Sequence, residues 1–397
     1  MASGHHKEGD AEFELSLVRG DVLMRLHRRL GLVPADGLGI GRRAVFWALF
    51  TWLPIAGWAL LFGHALPGAL GEPLLGHFGI HTRFLLAVPL FIIAEGVGHG
   101  LTTTLLPHFV RSGIVPAAEV PRFRAALADV ARLRDASLPW VTICGIVIAW
   151  TAVSVVTARA HELNWAVEAE GAARHLGFGA WWMLLAARPV FSVLLFGWLW
   201  RLVLVFVLLR RIARLDLAIV PTHPDRSGGL GFVERFPKAF APVVFGISAV
   251  VAPSWGHDVL YHDVSVLTLR SPMITLLIVL VVVFLAPYVV FIRPLLNAKR
   301  QALLDYGRLV GGHGWLVRRR WVEGKAVEND AVLSAPELGP VADTIALYEG
   351  VERMRPLPLG KAAVLTILVP AALPLVPVLA IQIPLKELLG GLAKALL

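Results

Sequence analysis

Long apolar segments separated by shorter polar ones run along the whole chain. Each apolar segment is nearly free of charge and reaches or approaches the roughly 20 residues that a helix needs to cross a bilayer. The segments are residues 44–66, 84–106, 138–158, 179–209, 240–257, 272–292 and 362–385. The pattern therefore predicts an all-α fold, a polytopic bundle of about seven transmembrane helices.

Three of the segments depart from a simple span. Residues 179–209 are too long for one bilayer at about 1.5 Å per residue, which predicts a continuous helix that protrudes from the membrane. The last segment contains Pro370, Pro374 and Pro377, which predict a kink or a re-entrant path. The fifth segment is short and also contains prolines, so full crossing stays open for the fifth and the seventh segments.

Basic residues concentrate in every second loop. They precede the first segment and follow the second, fourth and sixth, whereas the alternate loops hold few. By the positive-inside rule the basic loops are cytoplasmic, which places the N-terminus inside and, with seven spans, the C-terminus outside. The residues behind this prediction are Arg42, Arg43, Arg111, Arg122, Arg124, Arg132, Arg134, Arg210, Arg211, Arg214, Arg226, Arg235, Lys238, Arg293, Lys299, Arg300, Arg308, Arg318, Arg319 and Arg320.

The pattern also divides the chain into parts. A basic amphipathic helix is predicted near the N-terminus, with Val22, Leu23, Leu26 and Leu30 opposite Arg25, Arg28 and Arg29, and it is expected to lie on the inner leaflet. The predicted parts are a cytoplasmic N-terminal segment (1–43), a six-span bundle (44–293) with cytoplasmic loops at 107–137 and 210–239, the first containing an amphipathic helix at 121–136, a cytoplasmic helical region (294–361), and a seventh span with an amphipathic tail (362–397).

Composition narrows the class further. Hydrophobic residues make up 57% of the chain and charged residues 16%, with a mean hydropathy of +0.70, which excludes an ordinary soluble enzyme and a disordered protein. The net charge of +9 lies in loops beside the spans, so we expect anionic inner-leaflet lipids as partners and no nucleic acid. The single cysteine, Cys144, excludes an intrachain disulfide.

Three stretches of the C-terminal half carry a resemblance to known sequences. They read PTHPDRSGGLGF (221–232), LSAPELGPVADTIALYEGVERMRPLPLG (333–360) and IQIPLKELLGGLAKALL (381–397). Together they resemble a group of uncharacterised bacterial multi-pass membrane proteins that have a His-Pro-Asp loop followed by Gly-Gly-Leu-Gly. The resemblance implies a multi-pass protein of the bacterial inner (cytoplasmic) membrane and implies no activity.

An acidic side chain in the middle of the second segment is the sharpest chemical signal. Glu95 in an apolar run costs several kcal/mol unless it is paired, protonated or hydrated. Arg188 in the fourth segment lies at a similar predicted depth, while Arg201 near the inner edge is predicted to snorkel. Two interpretations stay open: a buried Glu95–Arg188 pair that fixes helix packing, or a proton or ion pathway that uses Glu95 and His99. The predicted polar seam consists of Glu95, His99, Thr102, Thr103 and Arg188.

A second candidate site lies on the predicted outer side. His77 and His81 are four residues apart, and the segment GHDVLYHD supplies His257, Asp258 and His262. Imidazole and carboxylate groups suit zinc-like divalent ions, whereas scattered loop histidines near lipid headgroups are the simpler interpretation. A divalent metal at these residues is the one cofactor hypothesis, and no other cofactor is indicated.

The third candidate is the glycine-rich cytoplasmic loop at 221–232. Backbone amides of such a turn can form an anion nest for a phosphate or a lipid headgroup, although the lysine of a P-loop is absent. A structural loop that leads into the fifth span is the other interpretation, and acid–base catalysis by its histidine and aspartate is the third. The residues concerned are His223, Asp225, Arg226, Gly228, Gly229 and Gly231.

Three classes of function remain open at this point. The leading hypothesis is an ion or proton channel or transporter that works through the polar seam between the second and fourth spans. The alternative is a non-catalytic scaffold or assembly subunit, with residues 294–360 as the surface for a protein partner or for a second copy. The third is a membrane-embedded enzyme, and the absence of a catalytic motif weighs against it.

Overall fold

The structure is a computed structural model that describes residues 13–35, 37–67, 73–156, 163–170, 173–327 and 339–382. Helices dominate these residues, and the predicted all-α class is confirmed. In chain order they are α1 (Val22–Arg29), α2 (Ile40–Leu61), α3 (Phe78–Arg111), α4 (Val120–Asp135), α5 (Leu138–Val156), α6 (Phe178–Ile212), α7 (Ala241–Tyr261), α8 (Val266–Leu285), α9 (Ile292–Val317), α10 (Gly339–Glu352) and α11 (Lys361–Ala372). A short antiparallel hairpin between α5 and α6, β1 (Val167–Glu170) and β2 (Ala173–Leu176), was not predicted.

Seven helical stretches among the described residues are long and apolar enough to cross a membrane. The chain is therefore a multi-pass membrane protein, as the hydropathy pattern predicts. The stretches are Ile40–Leu61, Phe78–Arg111, Ala117–Val156, Phe178–Ile212, Ala241–Tyr261, Val266–Val322 and Lys361–Ala380. Helix α3 lies centrally and packs against α2, α6 and α7.

Two spans share a local irregularity that the sequence analysis missed. In α3 a π-helical turn covers Thr82–Ala87, and in α6 a second covers Met183–Ala187. Each turn ends two residues before a proline, Pro89 or Pro189. A proline ring clashes with the carbonyl four residues earlier, and a wider turn relieves that clash without breaking the helix. Each π-helical turn also rotates the side chains that follow it about the helix axis. Depths counted in residues from the segment ends therefore do not show which positions face each other.

The proline-rich spans behave differently from each other. Helix α7 has 21 residues and continues through Pro253, so it is longer than the predicted fifth segment. The last span breaks: α11 ends at Ala372, a 3-10 turn covers Leu373–Leu375, and helix resumes at Val376–Ala380. The predicted irregularity of the seventh segment is confirmed. The predicted tail at 383–397 lies outside the described residues.

The N-terminal segment (residues 13–35) packs onto the bundle. Leu15, Leu17 and Val18 are buried, and α1 buries one face through Leu23, Met24 and His27. Its arginines point outward, but the predicted apolar stripe is divided, because Leu26 and Leu30 are exposed. One face of the N-terminal segment is therefore buried in the bundle core, and its other face is exposed.

Helices α8 and α9 are joined by a 3-10 turn, Ala286–Phe291, into a stretch of 57 residues, Val266–Val322. At 1.5 Å per residue that stretch is about 85 Å long, nearly three times the thickness of a hydrocarbon core. Only the apolar first part, α8, suits the membrane. Helix α9 extends beyond it, and α10 packs against α9. We call α9 and α10 together the arm.

Candidate functional site

The carboxylate of Glu95 is held by two guanidinium groups inside the bundle. Glu95 lies on α3 and has no exposed surface. Its Oε2 is 2.6 Å from Nη2 of Arg43, at the start of α2, and its Oε1 is 2.8 Å from Nη2 of Arg201 on α6. Both oxygens are therefore paired with cations from two other helices.

The same arginine of α6 also holds the N-terminal segment. Nη2 of Arg201 donates to Oδ2 of Asp21 at 2.8 Å. The other oxygen of Asp21 caps α1 by accepting the N–H of Leu23 at 2.5 Å. Burial raises the pKa of Asp21 above its usual value, while the charge of Arg201 acts against that rise. One carboxylate thus joins the start of α1 to α6.

His27 on α1 closes the arrangement and is fully buried. Nε of Arg43 lies 3.0 Å from its Nδ1, and Nε1 of Trp47 lies 2.8 Å from its Nε2. Both ring nitrogens therefore face donors, and a neutral imidazole can accept at only one of them. Burial lowers the pKa of His27 to about 4, and the charge of Arg43 acts in the same direction. The ring therefore stays neutral at neutral pH.

We call Asp21, His27, Arg43, Glu95 and Arg201 the charge network. All five are buried, and two carboxylates face two guanidinium groups, so the formal charges cancel. The guanidinium of Arg201 also lies 5.0 Å from the ring centre of Trp198, which adds a cation–π contact. Ion pairs shielded from water are stable only with such compensation. The arrangement can hold α1, α2, α3 and α6 together.

The predicted pairing of Glu95 with Arg188 is corrected by these contacts. Arg188 precedes Arg201 by 13 residues, which is about 20 Å along α6. Arg201, which was predicted to snorkel, is instead 1% exposed. An arginine side chain on a helix points towards the helix N-terminus. The guanidinium of Arg201 therefore lies nearer the start of α6 than its own Cα does, and this brings it to Glu95.

The other members of the predicted seam, His99, Thr102 and Thr103, lie along α3. No described contact joins them to the charge network. Thr102 Oγ1 donates to the carbonyl of Gly98 at 3.0 Å, and Thr103 Oγ1 donates to that of His99 at 2.9 Å. These bonds satisfy the hydroxyl groups within their own helix. His99 instead lies near the N-terminal segment, where the charges of Arg19 and Glu14 act on it.

Sequence reasoning missed Asp21, His27 and Arg43 as site residues. A usable signal was present, since Asp21 is a typical N-cap residue directly before the apolar positions Val22 and Leu23, and Arg43 stands at the entrance of the first apolar segment. A search for opposite charges at segment ends would have proposed Arg43 as a partner for Glu95. Nothing in the pattern placed the N-terminal segment against α6.

The glycine-rich loop is closed by its own aspartate. The carboxylate of Asp225 accepts the N–H groups of Ser227 at 2.8 Å, Gly231 at 2.7 Å and Gly229 at 3.2 Å. Burial by itself raises the pKa of Asp225, but these three backbone donors outweigh it and hold the pKa below its usual range. The amides predicted to form an anion nest are therefore taken by Asp225, with His223 Nδ1 2.9 Å from its Oδ1.

An arginine from the segment before α11 clamps the same loop. Nη2 of Arg355 donates to the carbonyl of Asp225 at 3.0 Å, and its backbone N–H donates to the carbonyl of Arg226 at 2.7 Å. Arg226 and Gly228 both have positive φ, at 57° and 65°, and a side chain at Gly228 would collide with Ile219. Two of the stretches behind the resemblance, 221–232 and 333–360, thus meet at this clamp.

The histidines predicted as metal ligands divide into two groups. His81 uses both ring nitrogens inside the protein, with Nδ1 2.9 Å from Trp52 Nε1 and Nε2 3.1 Å from the carbonyl of Leu74. The ring centres of His77 and His257 are 6.5 Å apart, and those of His257 and His262 are 5.4 Å apart. Asp258 accepts the backbone N–H of His262 through its carbonyl.

No set of three or more His, Cys, Asp or Glu side chains within the described residues is arranged to hold a metal ion. The charge network remains the feature with the most buried charge and the widest connections along the chain. No family model, no curated protein and no solved structure matches the chain.

Proposed function

We propose that the protein is a non-catalytic membrane scaffold whose helices are fixed by the charge network. The observation that supports this most directly is the state of Glu95, which has no exposed surface and has a guanidinium at each oxygen. A residue that relays protons or ions must reach water during its cycle. Each oxygen of Glu95 instead lies beside a guanidinium inside the bundle, as in a structural ion pair.

The energetic argument favours the same role. Removing one partner of a buried ion pair costs about 3–5 kcal/mol, because the remaining charge has no compensation. Between apolar helices in lipid there is little hydrophobic preference for one neighbour over another, so polar contacts help to decide which helices meet. Here they join α1, α2, α3 and α6 in a single arrangement.

The arm supplies the surface that a scaffold needs outside the membrane. It exposes Leu304, Trp315, Trp321 and Val322 on and just after α9, each by more than half of its surface. Large apolar side chains exposed to water are typical of protein–protein contacts. We propose a protein partner there, to be tested by photocrosslinking in cells from Leu304 with the neighbouring Arg300 as control. Crosslinking of a single defined protein from Leu304 alone is expected, and equal labelling from both positions would contradict it.

The function itself is tested by flux measurements on purified protein in liposomes. We expect no proton or ion flux from the wild type or from Glu95→Gln, together with a clear loss of stability for Glu95→Gln. Thr103→Val on the same helix is the matched control and should change neither. Flux in the wild type that Glu95→Gln abolishes, with folding intact, would overturn the proposal in favour of a pathway.

One observation favours that second function. Nε and Nη1 of Arg201 are buried and have no hydrogen-bond acceptor among the described residues. Two such donors could hold a water molecule, and a chain of waters along α3 is what a proton pathway would need. The liposome experiment separates the two functions directly.

A further inference from the structure

A cleft of about 500 Å³ opens beside the glycine-rich loop. It lies between the end of α3, the turn that follows it, and residues 218–232. The backbone N–H of Ala218 donates to the carbonyl of Ile114 at 2.9 Å, which fixes the two walls against each other. Its volume is in the range of a small-ligand site.

The cleft combines polar groups with an apolar wall. His108, Ser112, His223 and Asp225 contribute the polar side chains, and Phe232 lines the cleft beside His108. The ring of Phe232 meets that of His108 edge to face, with 4.6 Å between centres. This contact holds His108 in place without using its ring nitrogens.

The charge around the cleft is positive. Arg111 and Arg235 are close enough to His108 for their charges to act on it. The one carboxylate at the cleft belongs to Asp225, and it is already bound by three backbone N–H groups and by His223. Its negative charge is therefore largely compensated, and the charges of Arg111 and Arg235 act on the His108 side of the cleft.

We propose that this cleft binds the phosphate group of a small ligand. His223 is oriented by Asp225 and is 43% exposed, so its free edge can donate to a phosphate oxygen when the ring is protonated. His108 supplies a further polar contact from the end of α3, whereas the Ser112 hydroxyl already donates to the carbonyl of His108 at 2.7 Å. The phosphate belongs either to a lipid headgroup or to a soluble molecule, because the cleft lies where a membrane helix ends. The site is independent of the scaffold role, since it shares no residue with the charge network.

The test uses the full-length protein and two probes. Inorganic phosphate is titrated into lipid-free protein in neutral detergent by calorimetry. Retention of phosphatidic acid against phosphatidylcholine is then measured by native mass spectrometry. Binding of inorganic phosphate indicates a soluble ligand, and selective retention of phosphatidic acid alone indicates a headgroup.

The variants are His223→Gln and His108→Gln, with His313→Gln on the arm as the matched control. We expect His223→Gln to weaken binding about tenfold or more, corresponding to about 1.4 kcal/mol, and His108→Gln to weaken it less. His313→Gln should bind as the wild type does. Equal binding by His223→Gln and the wild type, or no binding of either probe to the wild type, would overturn the proposal.

Discussion

Two buried or half-buried carboxylates, Glu95 and Asp225, are stabilised in opposite ways. Glu95 is held by side chains from other helices, and its partner Arg201 is 106 residues away along the chain. Asp225 is held by backbone N–H groups that lie two, four and six residues further on. The first arrangement exists only in the assembled bundle, whereas the second is a property of one loop. The difference shows which charges hold the tertiary structure and which only shape a turn.

The largest expected effect comes from removing the shared cation of the network. Arg201→Met leaves Asp21 and Glu95 buried beside a single guanidinium, so we expect a loss of about 3–5 kcal/mol in the free energy of unfolding. Titration with a denaturing detergent measures it. Glu95→Gln in the same chain should recover part of the loss, because it removes one uncompensated charge. Strictly additive losses would show that the two residues do not interact.

The second prediction concerns pH and follows from His27. Its pKa is lowered to about 4 in the folded protein, so the unfolded chain binds more protons between pH 6.5 and 4. Stability is therefore complete well above pH 6.5 and falls as the pH decreases, by about 1.6 kcal/mol between pH 6.5 and 5. Asp21 acts in the opposite direction, because burial raises its pKa above 3.8 and its protonation in the folded protein adds stability as the pH falls through that raised pKa.

This pH effect should be local to the N-terminal segment at first. Thiol labelling of Met24→Cys, in a chain that also carries Cys144→Ser, reports release of α1 from the bundle. Labelling should accelerate as the pH falls from 7 to 5, and His27→Gln should remove that dependence. The same acceleration in the His27→Gln chain would assign the effect to another group.

A smaller effect is expected at Asp225. Asp225→Asn keeps one acceptor oxygen but loses the charge, so we expect a loss of about 1–2 kcal/mol. Faster amide hydrogen exchange should be confined to residues 227–231. The exposed Asp216→Asn is the control and should exchange as the wild type does. Spread of the faster exchange to α3 or α6 would mean that the loop supports the bundle as well.

The smallest effect is expected at Thr103. Its hydroxyl donates to carbonyls of its own helix, those of His99 and Gly100, so Thr103→Val should change the free energy of unfolding by less than about 0.5 kcal/mol. The detergent titration used for Arg201→Met measures it. A change above 1 kcal/mol would place Thr103 in the polar seam after all.

Much of the fold followed from the hydropathy pattern, because crossing a bilayer demands long apolar helices. Glu95 was also found, since a charge inside such a helix stands out. Its partners were not found by counting residues from the segment ends. The π-helical turns at Thr82–Ala87 and Met183–Ala187 shift the register, and an arginine side chain spans more than one turn.

Other features depend on contacts that no local pattern contains. The packing of the N-terminal segment against Arg201 joins residues 180 positions apart. The amides of the glycine-rich loop were recognised as anion binders, but their partner is Asp225 from the same loop. His81 was grouped with metal ligands by spacing alone, whereas its ring is used by Trp52 and Leu74.

The contact between Asp21 and Arg201 has a consequence for biosynthesis. The N-terminal segment is synthesised before its partner on α6, which follows 180 residues later. At about 5–20 residues per second, that interval is about 10–40 seconds. During this time Arg43 is the only one of the two cations available to Glu95 and Asp21. His27 can contact Arg43 and Trp47 on α2 early, but the contact of Asp21 with Arg201 must wait for the fourth span, so docking of the N-terminal segment is completed only after four spans have inserted.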